Sequence, residues 1–309
     1  MIRLIAGVWL SIVMVISWMS APAIAWALNP LQVTAQETFS RTGIEHFRAG
    51  EYHQALLAFT QAIEANPSSV AAYSNRCLTH MQLEDYQAAI VDCTQALELG
   101  AGAGGIEPYL NRGLAYYQLG DYEAAIADNT HLLELQPDDA RAYYNRGLAR
   151  SKLGQYDQSL TDFDQALSQG SDLATVNLAD IYNDRGLALA QLHRWQQSLD
   201  SFGGAIRLYP THARAFHNRG CVYEQQGEYR AAVQDFTMAL RLNPANAATY
   251  VNRAIAYRHL QNHEAALQDL QQASVYFLAQ GGQESYRRVL GMIRQLQPES
   301  PSLRAIAGI

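Results

Sequence analysis

From Gln36 onward, apolar and small residues recur three, four and seven positions apart in runs of about a dozen, and glycine or proline interrupts each run. Side chains at those spacings share one helical face, and each interruption ends one helix and admits the next. The pattern predicts an all-α chain of paired helices. The pairs recur at a period of about 34 residues, so one repeated unit, rather than two conventional domains, accounts for the 309-residue length.

Each unit opens on a ring: Phe39, Tyr73, Tyr109, Tyr143, Tyr182, Phe216 and Tyr250. Four positions on stands a small residue: Gly43, Cys77, Gly113, Gly147, Gly186, Gly220 and Ala254. After a turn, often at Gly50, Gly120, Gly154 or Gly227, comes a second ring at Tyr52, Tyr86, Tyr122, Tyr156, Trp195 and Tyr229, with His263 in its place in the seventh unit. A second small residue follows at Ala55, Ala89, Ala125, Ser159, Ser198, Ala232 and Ala266. The two small positions are expected to let paired helices approach, while rings and leucines fill the space to the next pair. No hairpin covers its apolar face alone, so the units must stack.

The stretches Tyr109 to Leu133, Tyr143 to Leu167 and Phe216 to Pro244 carry this pattern most fully, and with them the chain resembles the tetratricopeptide repeat family. The resemblance implies a helix-turn-helix solenoid, a right-handed superhelix of seven repeats at about 36–69, 70–103, 106–139, 140–173, 179–212, 213–246 and 247–280. Insertions disturb the phase near Gly100 to Gly105 and Gln169 to Asn177, the second a candidate hinge or contact loop. Residues 28–35 read as a linker and 297–309 as a tail. Between them and the repeats, 281–296 reads as a capping helix with Tyr286, Val289, Leu290 and Ile293 on one face.

An Asn-Arg pair precedes the small residue at Asn75-Arg76, Asn111-Arg112, Asn145-Arg146, Asn218-Arg219 and Asn252-Arg253, with Asp184-Arg185 in repeat five. In the family this asparagine faces a concave groove and bonds the backbone of an extended peptide, so the resemblance implies a partner-binding groove at Asn75, Asn111, Asn145, Asp184, Asn218 and Asn252. An amide has donors and an acceptor, which suits a peptide main chain without demanding its sequence. Apolar groove residues are expected in the N-terminal half at Leu78, Met81, Leu110, Leu114, Tyr117, Tyr144 and Leu148, and polar ones beyond at Asn183, Asp184, His217, Glu224 and Arg258. The arginines read as structural. An aspartate stands sixteen residues after each, pairing Arg76 with Asp92, Arg112 with Asp128, Arg146 with Asp162, Arg219 with Asp235 and Arg253 with Asp269, while repeat five has Ser201 there.

One branch of the family grips the C-terminal carboxylate of chaperone tails with lysine, asparagine and arginine. Asn75 matches its asparagine, but Ser40, Ile44, Glu107 and Asn111 stand where the clamp needs its other side chains, so a desolvated carboxylate would lack cations and this mode is excluded. The histidines are scattered, and His259 with His263 lacks a third ligand; no metal and no cofactor are expected. No phosphate loop, nucleophile elbow or paired acid and base appears, so the chain is read as no enzyme.

Arg3, an uncharged apolar stretch from Leu4 to Met19, and Pro22 before Ala23-Ile24-Ala25 resemble a secretory signal peptide over residues 1–27. An uncleaved anchor over residues 4–27 is the other reading, and both place the repeats across an inner membrane, in a periplasm or equivalent lumen. The net charge of −7 argues against nucleic acid. Cys77 and Cys93 share a hairpin but are read as about a helical turn out of register, favouring two buried thiols over a disulfide. The expected function is a scaffold that binds other proteins outside the cytoplasm, touching membrane only through its N-terminal segment. A substrate-recognition or regulatory subunit of an envelope protease or cell-wall enzyme is the alternative.

Overall fold

The structure, a computed structural model, describes residues 34–100, 105–170 and 173–296. The expected leader or anchor, most of the linker and the tail lie outside these. The described helices form seven antiparallel hairpins and a cap. They are α1 (Ala35–Arg48) with α2 (Tyr52–Ala65), α3 (Val70–Gln82) with α4 (Tyr86–Gly100), α5 (Glu107–Leu119) with α6 (Tyr122–Leu135), and α7 (Ala140–Lys152) with α8 (Tyr156–Gln169). Beyond the second insertion come α9 (Thr175–Gln191) with α10 (Trp195–Leu208), α11 (Ala213–Gln225) with α12 (Tyr229–Leu242), α13 (Ala247–His259) with α14 (His263–Ala279), and α15 (Gln283–Leu296) as the cap. No described helix is long and apolar enough to cross a membrane.

Local chemistry sets the helix ends. Thr34 and Glu37 form a reciprocal capping box at the start of α1, and Ser69, Asp121, Asp139, Asn246 and Asn262 each accept a backbone N–H in the first turn of the helix they precede. Between the helices of each hairpin the chain passes through the left-handed region. Gly50, Gly120, Gly154 and Gly227 hold φ between 74° and 85°, and Glu84, His193 and Gln261 take the matching place in the other three hairpins.

The small residue at the middle of each first helix serves a ring rather than a backbone contact. Phe59, Phe163, Phe202 and Phe236, at most 1% exposed, lie across Gly43, Gly147, Gly186 and Gly220. A Cβ on any of these glycines would come within 2.5–2.8 Å of the ring. Burying each ring contributes about 2–3 kcal/mol. Repeat seven reaches the same fill with Ala254 and Leu270, and repeat three sets Asn129 over Gly113. Ser159 and Ser198, at the second small position, donate to the carbonyls of Gly147 and Gly186 at 2.7 Å, fastening the two helices of their hairpins.

In repeat two the same pair of positions holds Cys77 and Cys93, which are joined as a disulfide with Cα atoms 5.4 Å apart. The expectation of two thiols is therefore corrected. A sixteen-residue offset places residues level across the hairpin, as the neighbouring pair Arg76 and Asp92 shows, so the cysteines are in register and not a turn apart.

Candidate functional site

The first helices of successive hairpins, α1, α3, α5, α7, α9, α11 and α13, touch one another in order, whereas the second helices have no comparable mutual contact. The first helices thus crowd the inner side and line a concave surface. Its character changes along its length.

The arginines hold this surface from behind. Arg76, Arg112, Arg219 and Arg253 each grip their aspartate through Nε and Nη2 at 2.7–2.8 Å, and Arg146 grips Asp162 at 2.8–3.2 Å. The hydrogen bonds to Asp92 and Asp128 hold the Arg76 and Arg112 guanidinium groups above their ordinary pKa. Each guanidinium also lies 5.5–5.8 Å from the ring that opens its unit, at Tyr73, Tyr109, Tyr143, Phe216 and Tyr250. A contact that the sequence reading missed runs to the previous hairpin: Arg76, Arg112, Arg146 and Arg253 donate through Nη1 to Thr60, Thr94, Thr130 and Thr237. In repeat five Arg185 donates to Ser201 and to Asp164 of the preceding hairpin, each at 2.7 Å. The arginines are thus bolts within their hairpins, and all but Arg219 also bolt onto the hairpin before.

In repeats two to four the asparagines beside those arginines stay partly exposed. Among the described residues, the side-chain amides of Asn75, Asn111 and Asn145 have no hydrogen-bond partner within the chain; only the backbone carbonyl of Asn75 is engaged, by Thr79. Leu78, Leu110, Leu114, Tyr117 and Leu148 are also partly buried and keep some surface. Leu114 rests on the Cys77–Cys93 cluster, Leu110 on Leu132 and Leu133, and Leu148 on the cluster around Phe163. Met81 is buried. Three amides at matched positions on α3, α5 and α7, flanked by apolar side chains, offer donors and acceptors that nothing among the described residues consumes.

In repeats five to seven the corresponding groups are consumed, and Tyr144 of repeat four with them, which departs from the expectation that Tyr144, Asp184, Asn218 and Asn252 are free to bind. Tyr144 donates to Asp184 at 2.7 Å, Asn183 donates to the other oxygen of Asp184 at 3.0 Å, and Asn218 donates to Asn183 at 2.9 Å. One polar chain therefore stitches α7, α9 and α11 together across the second insertion. One turn away Asp180 accepts from His212 and Arg214. Asn252 donates to Cys221, and His217 pairs with Thr249 at 2.8 Å. Asn183 and His217 are buried rather than lining the surface.

Burial is the main influence on the ionisable groups here. It raises the Asp184 carboxyl despite the donors around it, and with the Asp184 charge raises the phenols of Tyr117 and Tyr144. Burial also raises half-buried Glu224, pushes the Cys221 thiol up to about 12 and His217 down to about 4. Although Cys221, His217 and Asn252 stand together, a thiol so raised and an imidazole so lowered do not form a thiolate–imidazolium pair at neutral pH. Arg258 is exposed. Among the described residues no group of three or more His, Cys, Asp or Glu is placed to hold a metal ion.

Comparison with known proteins identifies the architecture. Family models described as tetratricopeptide repeat match residues 41–104, 140–170, 213–246 and 247–274, and one described as TPR repeat matches 113–154. Serine/threonine-protein phosphatase 5 of Homo sapiens is 42% identical over 55 residues, 18% of this chain and 11% of that protein. Sperm-associated antigen 1 of Mus musculus is 37% identical over 60 residues, 19% of this chain and 6% of that protein. The chain thus spans about a tenth or less of the length of these relatives. A tetratricopeptide repeat protein from Parabacteroides merdae superposes with a TM-score of 0.64 at 21% identity, over 83% of this chain and 99% of that one. MamA from Desulfovibrio magneticus does so at 0.51 and 20% identity, over 57% and 96%. These likenesses show the fold. With its hairpins, its arginine bolts and its matched repeats, the chain belongs to the tetratricopeptide repeat family.

Proposed function

We propose that this chain is a non-catalytic scaffold that works outside the cytoplasm and holds an extended segment of a partner protein along α3, α5 and α7. The observation that carries this reading is the row of unpartnered amides at Asn75, Asn111 and Asn145. A polypeptide backbone offers one donor and one acceptor per residue, and an amide side chain can satisfy both. Leu78, Leu110, Leu114 and Leu148 flank the row and suit apolar side chains of the same segment. The export reading is supported by the leader-like pattern before residue 28 and by the Cys77–Cys93 disulfide, since disulfides persist in oxidising compartments.

The test is in-cell crosslinking and mass spectrometry of the tagged chain beside a variant with Asn75, Asn111 and Asn145 changed to Ala. These amides fasten nothing among the described residues, so the variant is expected to keep its helical circular dichroism and lose a set of exported proteins that the native chain captures. Capture of the same set by a folded variant would contradict the proposal.

A further inference from the structure

Six junctions between hairpins can be compared at the arginine that stands beside each, and five of the six arginines reach back across the junction. Four arginines give Nη1 to Thr60, Thr94, Thr130 and Thr237 at 2.9–3.2 Å, and Arg185 gives Nε to Asp164 at 2.7 Å. At the remaining junction the matching residue is Gly203. Arg219 holds Asp235 through Nε and Nη2, and its Nη1 finds no side chain at that place. A cleft of about 590 Å³ opens there between α10, α11 and the start of α12, lined by Gln196, Asp200, Gly203, Arg207, Arg219 and Glu228 among others.

A second guanidinium converges on the same spot. The position that a Cβ on Gly203 would occupy lies 3.4 Å from Nη1 of Arg207 and 4.0 Å from Nη1 of Arg219. We propose that this cleft binds a carboxylate, which takes the place of the missing side chain and accepts from both arginines. The chain supplies its own precedent, because Asp164 meets Arg185 with a carboxylate oxygen from the matching position. A guanidinium fork suits that planar acceptor. The rim narrows the class further. Asp200, which accepts from Gln196, and Glu228 are exposed beside the cleft and would repel a dense polyanion more than a single carboxylate. The ligand is thus an acidic side chain of a polypeptide or a small free carboxylate, bound apart from the amide row.

The test is an NMR titration of the full chain with sodium acetate and, separately, with the blocked tripeptide acetyl-Gly-Asp-Gly-amide, against sodium chloride at matched ionic strength. The native chain is expected to show saturable shifts around α10 and α11 with at least one of the two probes. Gly203→Thr, which restores the side chain found at four other junctions, is expected to weaken that binding about tenfold or more, as is Arg207→Gln. Arg207 is exposed and has no hydrogen-bond partner among the described residues, so its variant is expected to fold even if Gly203→Thr does not. Tighter binding of the tripeptide than of acetate assigns the site to an acidic protein segment, and equal binding assigns it to a free carboxylate. Shifts that do not saturate with either probe, or that persist unchanged in both variants, would overturn the proposal.

Discussion

Repeats two to four and repeats five to seven are built from the same unit, yet they spend their polar side chains differently. Asn75, Asn111 and Asn145 leave their amides open on a surface flanked by leucines. In the other half Asp184, Asn218 and Asn252 occupy the matching positions and are bonded to Tyr144, Asn183 and Cys221. The N-terminal half takes its cross-link from a covalent bond behind the surface, between Cys77 and Cys93. The C-terminal half takes its own from a largely buried chain of polar side chains between its first helices, at the point where the second insertion breaks the repeat phase. One position can therefore serve a ligand or the fold, and the neighbouring helix decides which.

The largest effect expected to separate the halves is reduction of the disulfide. The bond closes a loop of 16 residues, for which chain entropy contributes about 3 kcal/mol. Because hairpins contact mainly their neighbours, the loss should stay local. Hydrogen exchange after reduction, or in Cys77→Ser, is expected to show lost protection in α1 to α6 and unchanged protection in α11 to α14. Uniform loss along the chain would break the comparison.

Acid should act more strongly on the other half, although burial also lowers the His80 imidazole in α3. His217 has a pKa of about 4 in the fold, against an ordinary value near 6.5, because burial disfavours the imidazolium. A depressed folded value means that stability is full above pH 6.5 and is lost as pH falls from 6.5 towards 4, by roughly 3 kcal/mol in all. Asp184, raised by burial, opposes this in part, since its ionised form costs stability as pH rises through its folded pKa. Exchange measured at pH 7 and pH 4.5 is expected to loosen α11 to α13 first, and His217→Gln should flatten that dependence. A pH response centred on α3 to α6 would contradict the account.

A smaller and sharper contrast lies in two single substitutions. Asn218→Ala leaves the buried Asn183 oxygen without its donor, which costs about 1–3 kcal/mol. Asn111→Ala removes an amide that bonds nothing among the described residues, and its cost should stay within about 0.5 kcal/mol. Urea unfolding of both variants measures the difference, and equal costs would mean that the two asparagines play one role.

The hairpins and the arginine pairs were legible because both depend on spacing within one unit. Arg76 to Asp92 and Arg253 to Asp269 share an offset that any register error would destroy. The same offset joins Cys77 to Cys93, but the bend between the two helices hides their register from a reading of either helix alone. That offset also matches Gly43 to Phe59. That pairing was hidden because its second member changes to Cys93, Asn129 or Leu270 elsewhere, and only the filled volume is kept. The threonines at Thr60 and Thr94 were missed because they act on the following hairpin. The bond from Tyr144 to Asp184 spans 40 positions and an insertion, so periodicity carries no trace of it.

The central claim, that the open half of the inner surface is the binding half, is tested most directly by site-specific photocrosslinking. A photoreactive residue placed at Leu114 samples the amide row, and one placed at Ile255 samples the matching position in repeat seven. The account predicts that a partner polypeptide is crosslinked from Leu114, that the product disappears when Asn75, Asn111 and Asn145 become Ala, and that Ile255 yields none. Crosslinking from Ile255 alone would place the partner on the half whose asparagines are already bonded, and would contradict the account.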